Sequence, residues 1–227
     1  MTDTSTPTTA TLLFVKAPVS GQVKTRLAAT LGDDTALNLY QCFVADMLDK
    51  LESIHYLPRI YFHPPDAGPD VRTWLGDRYA FYEQKGRTLG DKMSNALAET
   101  FDSGIERAVL MGTDFPDLPS SIITEALTAL DTAPAVIGPS TDGGYYLIGF
   151  TADGFTANVF DDIPWSTDTV FTRTCERFQS SGIGPYILPQ WLDIDTEADL
   201  RQFAAGCRDN PGRAPHTMQY LTNKEMP

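Results

Sequence analysis

RAVLMGTDFPDLP, residues 107–119, passes from an apolar run to an acidic turn within a few positions, and its reading decides the fold. Ala108 to Met111 form a short continuous apolar stretch ended by Gly112, the pattern of a strand buried on both faces. Asp114 then falls just beyond the strand's carboxyl end. In open α/β sheets ligands bind at that edge, and Pro116 and Pro119 stop the strand and stiffen the turn around the carboxylate. An Asx turn would use the same aspartate, so position alone does not assign it a role. A second acidic turn, WLDIDT at residues 191–196, also precedes a helical pattern. Two carboxylates from separate turns, Asp114 and Asp195, can share one hard divalent cation.

The chain of 227 residues is 42% apolar, enough to bury a core, and its size suits one α/β domain. The expected organisation is a disordered tail over 1–9, a domain over 10–205 and an irregular tail over 206–227. A net charge of −13 argues against a nucleic-acid surface, which needs a basic stripe. Residues 1–9 lack the basic and apolar regions of a signal peptide, and no apolar stretch approaches a membrane span. The expected location is therefore the cytoplasm. Cys42, Cys175 and Cys207 are odd in number and widely spaced, which suggests neither a disulfide framework nor a zinc site.

Ala10 to Val15 read as a first strand, followed by the loop KAPVSGQV at 16–23 and the helix start KTRL at 24–27. Lys16, Gly21, Lys24 and Arg26 make this loop a plausible phosphate cradle, with the cations adding charge-assisted hydrogen bonds. It is not a Walker A loop, because Val23 and Pro18 stand where that motif needs glycine. Leu37, Tyr40, Phe43, Val44, Met47, Leu48 and Leu51 recur at helical spacing as a core-facing stripe. Arg59 to Phe62 and Tyr79 to Gln84 read as further strands. The exit QKGRTLGD at 84–91 places Gln84, Gly86, Leu89 and Gly90 before a helix, where a base or sugar can lie, although turn chemistry alone also explains Asp91 and Lys92.

Beyond the central strand and its following helix, Ala135 to Gly138 form another strand, and PSTDGG at 139–144 leads directly into YYLIGF. Gly143 and Gly144 permit close backbone approach, and Asp142 can orient a hydroxyl or a metal-bound water. A tight Asp-Gly-Gly turn is the competing reading. Ile163 to Thr167 open a helix with Ser166 as the expected N-cap, and Trp165 is either a stacking platform or core. Thr196 and Asp199 have capping-box spacing ahead of the last helix, which fixes Asp195 beside a helix start. No G-x-S-x-G elbow or G-x-G-x-x-G occurs, and His55, His63 and His216 lie far apart in sequence, so hydrolase triads and dinucleotide dehydrogenases drop out.

Taken in order, KAPVSGQVKTRLA, QKGRTLGDKM, MGTDFPDLP, GPSTDGGYYLIG, IPWST and LDIDTEADL resemble the bacterial radical-SAM/selenodomain-associated transferases, or arsenosugar-biosynthesis glycosyltransferases, of the GT-A superfamily. The resemblance runs from about residue 11 to about residue 203. It implies an α/β fold with a mixed, mostly parallel sheet between helices, and a nucleotide at the sheet's carboxyl edge. It implies Mg²⁺ or Mn²⁺ held by Asp114 and Asp195. Catalytic roles are implied for Asp114, Asp142 and Lys24, nucleotide contacts for the residues of the two loops and Thr113, and substrate contacts for Asp142, Gly143, Gly144, Tyr145 and Trp165. The family's acidic element is Asp-x-Asp, whereas this chain has Thr113-Asp114-Phe-Pro, so only Asp114 carries over. Whether Asp117, Asp142 or Asp193 joins the metal site is left open.

The partners implied are a nucleotide or nucleotide-sugar donor and a small-molecule acceptor, and the sequence is compatible with a homo-oligomer. The opening loop is closer to nucleotidyltransferases than to sugar-transferring relatives. Glycosyl transfer, nucleotidyl transfer and a non-catalytic nucleotide-binding regulator therefore all remain open.

Overall fold

The computed structural model describes residues 8–224. Residues 1–7 of the expected tail lie outside the described residues, and Thr9 already opens the first strand. Seven strands form one sheet: β1 (Thr9–Lys16), β2 (Arg59–His63), β3 (Ala80–Glu83), β4 (Arg107–Met111), β5 (Ala135–Pro139), β6 (Tyr145–Thr151) and β7 (Tyr186–Ile187), in the order β3-β2-β1-β4-β6-β5-β7. Every pairing is parallel except the two made by β6. The mixed, mostly parallel sheet follows from the strand compositions. Leu12, Leu13, Val109 and Leu110 are buried on alternate faces, and only a sheet covered on both sides accommodates that.

One face carries α2 (Asp33–Ser53), α3 (Gly68–Leu75) and α5 (Ser120–Ala129), whose apolar residues join Leu13, Val15 and Met111 in one core. The other carries α4 (Leu89–Asp102) and α6 (Val170–Ser180), packed on Leu12, Tyr61 and Phe150. A third core joins α1 (Thr25–Leu31) and α2 to α7 (Glu197–Cys207) and α8 (Pro215–Asn223) through Leu27, Phe43, Phe203 and Leu221. The capping box of α7 forms as the sequence reads, with Thr196 accepting from the Asp199 N–H and Asp199 reaching back. All three cysteines are free.

Two sequence expectations are corrected. The irregular tail expected over 206–227 contains a 3₁₀ turn at Pro211–Arg213 and the helix α8. The N-terminal donors of α8 are satisfied from a distance: fully buried Asp46 on α2 accepts from the N–H groups of His216 and Thr217 at 2.9 and 3.0 Å and from the Thr217 hydroxyl at 2.6 Å. A cap supplied from 170 positions away leaves no local signal. The helix expected to open at Ser166 begins instead at Val170, with Thr169 at the N-cap. Ser166 has φ 67°, a left-handed turn that lies four residues before the helix begins.

Candidate active site

β1 is flanked by β2 on one side and β4 on the other, so a crevice opens where connections leave it in opposite directions. A cleft of about 600 Å³ occupies this position, a size usual for small-molecule sites. Lys16, Lys24, Arg26, Thr113, Asp114 and Asp195 line it from the β1–β4 side. Gln84 and Leu89 line it from the β3–α4 loop, and Asp142, Gly144, Tyr145 and Trp165 from the segment between β5 and α6.

Four glycines expected at the site lie outside its lining. Gly21 sits in the turn beside Asp33, and Gly86 and Gly90 border a separate groove with Asp91 and Asn95. A Cβ on Gly90 would lie 2.7 Å from the Trp165 indole, so this glycine seats the tryptophan that does reach the cleft. Gly143 has φ +89°, and a Cβ there would lie 2.1 Å from the Asp168 carbonyl. Its own carbonyl accepts from the Phe171 N–H at 2.8 Å, which ties the Asp142 loop to the start of α6.

The two acidic turns converge, but on a lysine. Lys24 Nζ lies 2.6 Å from Asp114 and 3.0 Å from Asp195, and donates to the Ile194 carbonyl at 2.7 Å. Its side chain is only 4% exposed, against 41% for Asp114 and 33% for Asp195. Lys24 takes left-handed φ and ψ of 48° and 45° at the N-cap of α1, which turns its side chain inward instead of leaving it on the helix surface. Burial alone would lower its pKa, but the two carboxylates outweigh that and hold it above the ordinary lysine value. Asp195 shows the converse. Burial would raise it, and Lys24, then Arg26 and Lys16, bring it below the usual aspartate value. Arg26 is exposed and reaches Asp195 at 3.3 Å. The phosphate cradle expected from Lys24 and Arg26 is thus engaged with carboxylates.

Tyr40 and Asp193 also line the cleft; the sequence placed Tyr40 in a core stripe and left open whether Asp193 joins the metal site. The Tyr40 hydroxyl accepts from the Lys16 N–H at 2.7 Å and pins the end of β1, although its place in the α2 stripe reads as core. Asp193 is buried and accepts from the Thr141 hydroxyl at 3.1 Å. Burial, then Asp142 and Asp195, push its pKa up. Asp142 accepts from the Gly144 N–H at 2.8 Å and from the Ser140 hydroxyl, so its carboxylate is held at the mouth of the loop. The only sequence signal for Asp193 was its membership of WLDIDT.

A clamp between the two turns fixes their spacing. Asp117 accepts from the Trp191 indole N–H at 2.9 Å and from Arg213 at 2.7 Å, and the Arg213 guanidinium lies 5.6 Å from the Trp191 ring centre. The Ile194 N–H also donates to the Asp114 carbonyl at 3.1 Å. Asp117 is therefore a bracket between the turns, pointed away from any shared cation. Arg213→Ala is expected to cost about 1–2 kcal/mol by leaving a mostly buried carboxylate short of a partner. Thermal denaturation checks this, with Arg213→Lys recovering part of the loss; an unchanged midpoint would show that the bracket carries no stability.

Comparison with known proteins extends beyond the fold. A crystal structure from Desulfovibrio desulfuricans G20, described as a candidate nucleotide-diphospho-sugar transferase, shares 39% identity over 96% of both chains with a TM-score of 0.92. CMP:2-keto-3-deoxy-manno-octonic acid synthetase complexed with CTP superimposes with TM-score 0.55 at 9% identity, covering 88% of this chain and 98% of that one. The inositol-1-phosphate CTP transferase from T. maritima gives 0.52 at 16%, covering 96% and 97%. The last two likenesses concern the fold alone. No curated protein matches the sequence. A family model matches residues 47–167, a stretch that includes Asp114, Asp142 and Trp165, and with the 39%-identical relative it identifies the chain as a member of DUF2064, a family described as uncharacterized proteins conserved in bacteria.

Proposed function

We propose that this chain is a cytoplasmic transferase using a nucleotide-activated donor, and that it transfers a glycosyl group from a nucleotide-diphospho-sugar. The observation that carries the proposal is the convergence of Asp114 and Asp195 on one cationic point within the switch-point cleft. The similarity to a candidate nucleotide-diphospho-sugar transferase at 39% identity supports the donor class. The finer kinship with the radical-SAM-associated transferases belongs to the same proposal. Sugar transfer is preferred to nucleotidyl transfer on the similarity at 39% identity, because the likenesses to CTP-using enzymes, at 9% and 16% identity, concern the fold alone.

The chemistry of the two carboxylates supports a divalent cation. The Lys24 ammonium is a stand-in ion, and the two carboxylates already place hard oxygens around one point. Asp114 and Asp195 would hold Mg²⁺ or Mn²⁺, which when bound would neutralise charge on the departing diphosphate. Lys24, relieved of its carboxylates, would turn to a phosphate oxygen. Asp142 would orient the acceptor hydroxyl and take its proton as that oxygen forms the new bond to the sugar carbon and the bond to the diphosphate breaks. Trp165 and Tyr145, whose rings meet edge to face at 6.4 Å, would wall the sugar and exclude water.

A donor panel tests the reading. A ligand at about ten times its Kd stabilises the native state by about 1.4 kcal/mol, a melting shift of a few degrees. Nucleotide sugars and nucleoside diphosphates are expected to give metal-dependent shifts larger than those of triphosphates. Dominant, metal-independent shifts with a triphosphate would defeat both the donor class and the shared cation.

A further inference from the structure

Of the cations singled out from the sequence, Lys24 and Arg26 are paired with carboxylates, whereas Lys16 forms no ion pair among the described residues. Lys16 ends β1, His63 ends β2 as its register partner, and Lys92 stands in the first turn of α4. Lys92 Nζ lies 3.4 Å from His63 Nδ1. An ammonium can only donate, so His63 accepts through Nδ1 and keeps its proton on Nε2. Among the described residues no carboxylate forms an ion pair with Lys16, His63 or Lys92, although the chain carries 30 acids against 17 Lys and Arg.

The electrostatics agree with the geometry. Burial, then Lys92 and Lys16, hold the His63 pKa below its usual value, with Asp66 on the following 3₁₀ turn the one opposing charge. Burial, then Lys16, lower Lys92. Two cations and an imidazole are thus gathered without an ion-paired carboxylate among the described residues, on the side of β1 opposite to Asp114. Lys16 lines the cleft and also lowers the Asp195 pKa, so it stands between the acidic pair and this second cluster.

We propose that Lys16, His63 and Lys92 form a binding position for a phosphate-type oxyanion, distinct from the acidic pair and adjoining the cleft over β1 and β2. The two lysine ammoniums supply its charge-assisted donors, and His63, whose Nδ1 faces Lys92, lies beside the anion they would hold. The inference rests on the transferase reading only for the source of the anion, which is either a phosphate of the bound nucleotide or a free phosphorylated metabolite.

His63 is itself the reporter. Its pKa is followed by NMR of the imidazole in the full chain, alone and with inorganic phosphate, pyrophosphate or a nucleoside diphosphate. An anion within a few ångströms is expected to raise it by about one unit. A shift with inorganic phosphate identifies a free-standing oxyanion site, and a shift confined to the nucleoside diphosphate identifies the nucleotide as the source. Either shift must disappear in Lys16→Ala/Lys92→Ala. Asp114→Asn separates this inference from the transferase reading, because it removes the acidic pair and leaves a phosphate-induced His63 shift intact. A His63 pKa unmoved by all three probes, or a shift that persists in the double variant, overturns the site whether or not nucleotides bind elsewhere.

Discussion

Replacing Asp114 or Asp195 by Asn is expected to lower donor turnover on the order of 10²-fold or more, the scale of losing a charge contact made in the transition state. Each substitution is nearly isosteric and removes one negative charge from a point where two carboxylate oxygens lie within 3.0 Å of the same cation. Neither should unfold the protein. Asp114 and Asp195 are partly exposed, and the main-chain bond from Ile194 to the Asp114 carbonyl does not depend on either side chain. The bracket from Asp117 to Trp191 and Arg213 likewise stays in place. Diphosphate release from a nucleotide sugar, with water as acceptor, measures turnover. Calorimetric titration of Mn²⁺ with nucleotide present measures the cation, whose affinity should fall in both variants. Unchanged affinity in both would remove the shared site and with it the main support for the proposed chemistry.

The sheet was legible because its strands are apolar on both faces and end in turn residues, so β4 and the Asp114 turn could be placed from a dozen letters. The α7 capping box was equally legible, since both partners lie within four residues. What stayed hidden depends on contacts between distant residues. Asp46 caps a helix 170 positions later, Arg213 reaches Asp117 across 96, and Lys24 meets Asp195 across 171. Lys24 shows the cost of reading charge locally: at the start of α1 it suits a phosphate, yet its left-handed backbone sends it between two aspartates. Gly90 and Gly143 were singled out for closeness to ligand, but the space they leave belongs to Trp165 and the Asp168 carbonyl. His63 was set aside because no nucleophile lies near it in sequence. Only the parallel register of β1 and β2 brings it beside Lys16, and the start of α4 adds Lys92.

Lys24→Met is expected to destabilise the protein at neutral pH by about 3 kcal/mol, a fall in melting temperature of roughly 6–12 °C for a chain of this size. Methionine keeps the length of the buried stem but leaves two carboxylates facing each other with the exposed Arg26 as their remaining ion-pair partner among the described residues and Lys16 acting from further away. The figure sits at the lower end for breaking a buried ion pair because water reaches both aspartates. Its pH dependence has a fixed sign. Lys24 has a raised pKa in the folded state, so its contribution is complete below the ordinary lysine value and is lost only as pH rises through the raised one. Asp195 has a lowered pKa, so its contribution is present above the ordinary aspartate value of about 3.9 and is lost as pH falls through the lowered one. The gap between wild type and variant should therefore be widest near neutrality and close on acidification below about pH 4, as Asp195 takes up its proton. A divalent cation should have the opposite consequence. With the resident ammonium gone, MnCl₂ at about 100 times its Kd would return about 2.7 kcal/mol to the variant, and a smaller share to the wild type, where Lys24 competes for the same oxygens. Melting curves of both proteins between pH 3 and pH 8, with and without MnCl₂, decide the matter. If Mn²⁺ fails to stabilise Lys24→Met more than the wild type, Asp114 and Asp195 hold a lysine and nothing else.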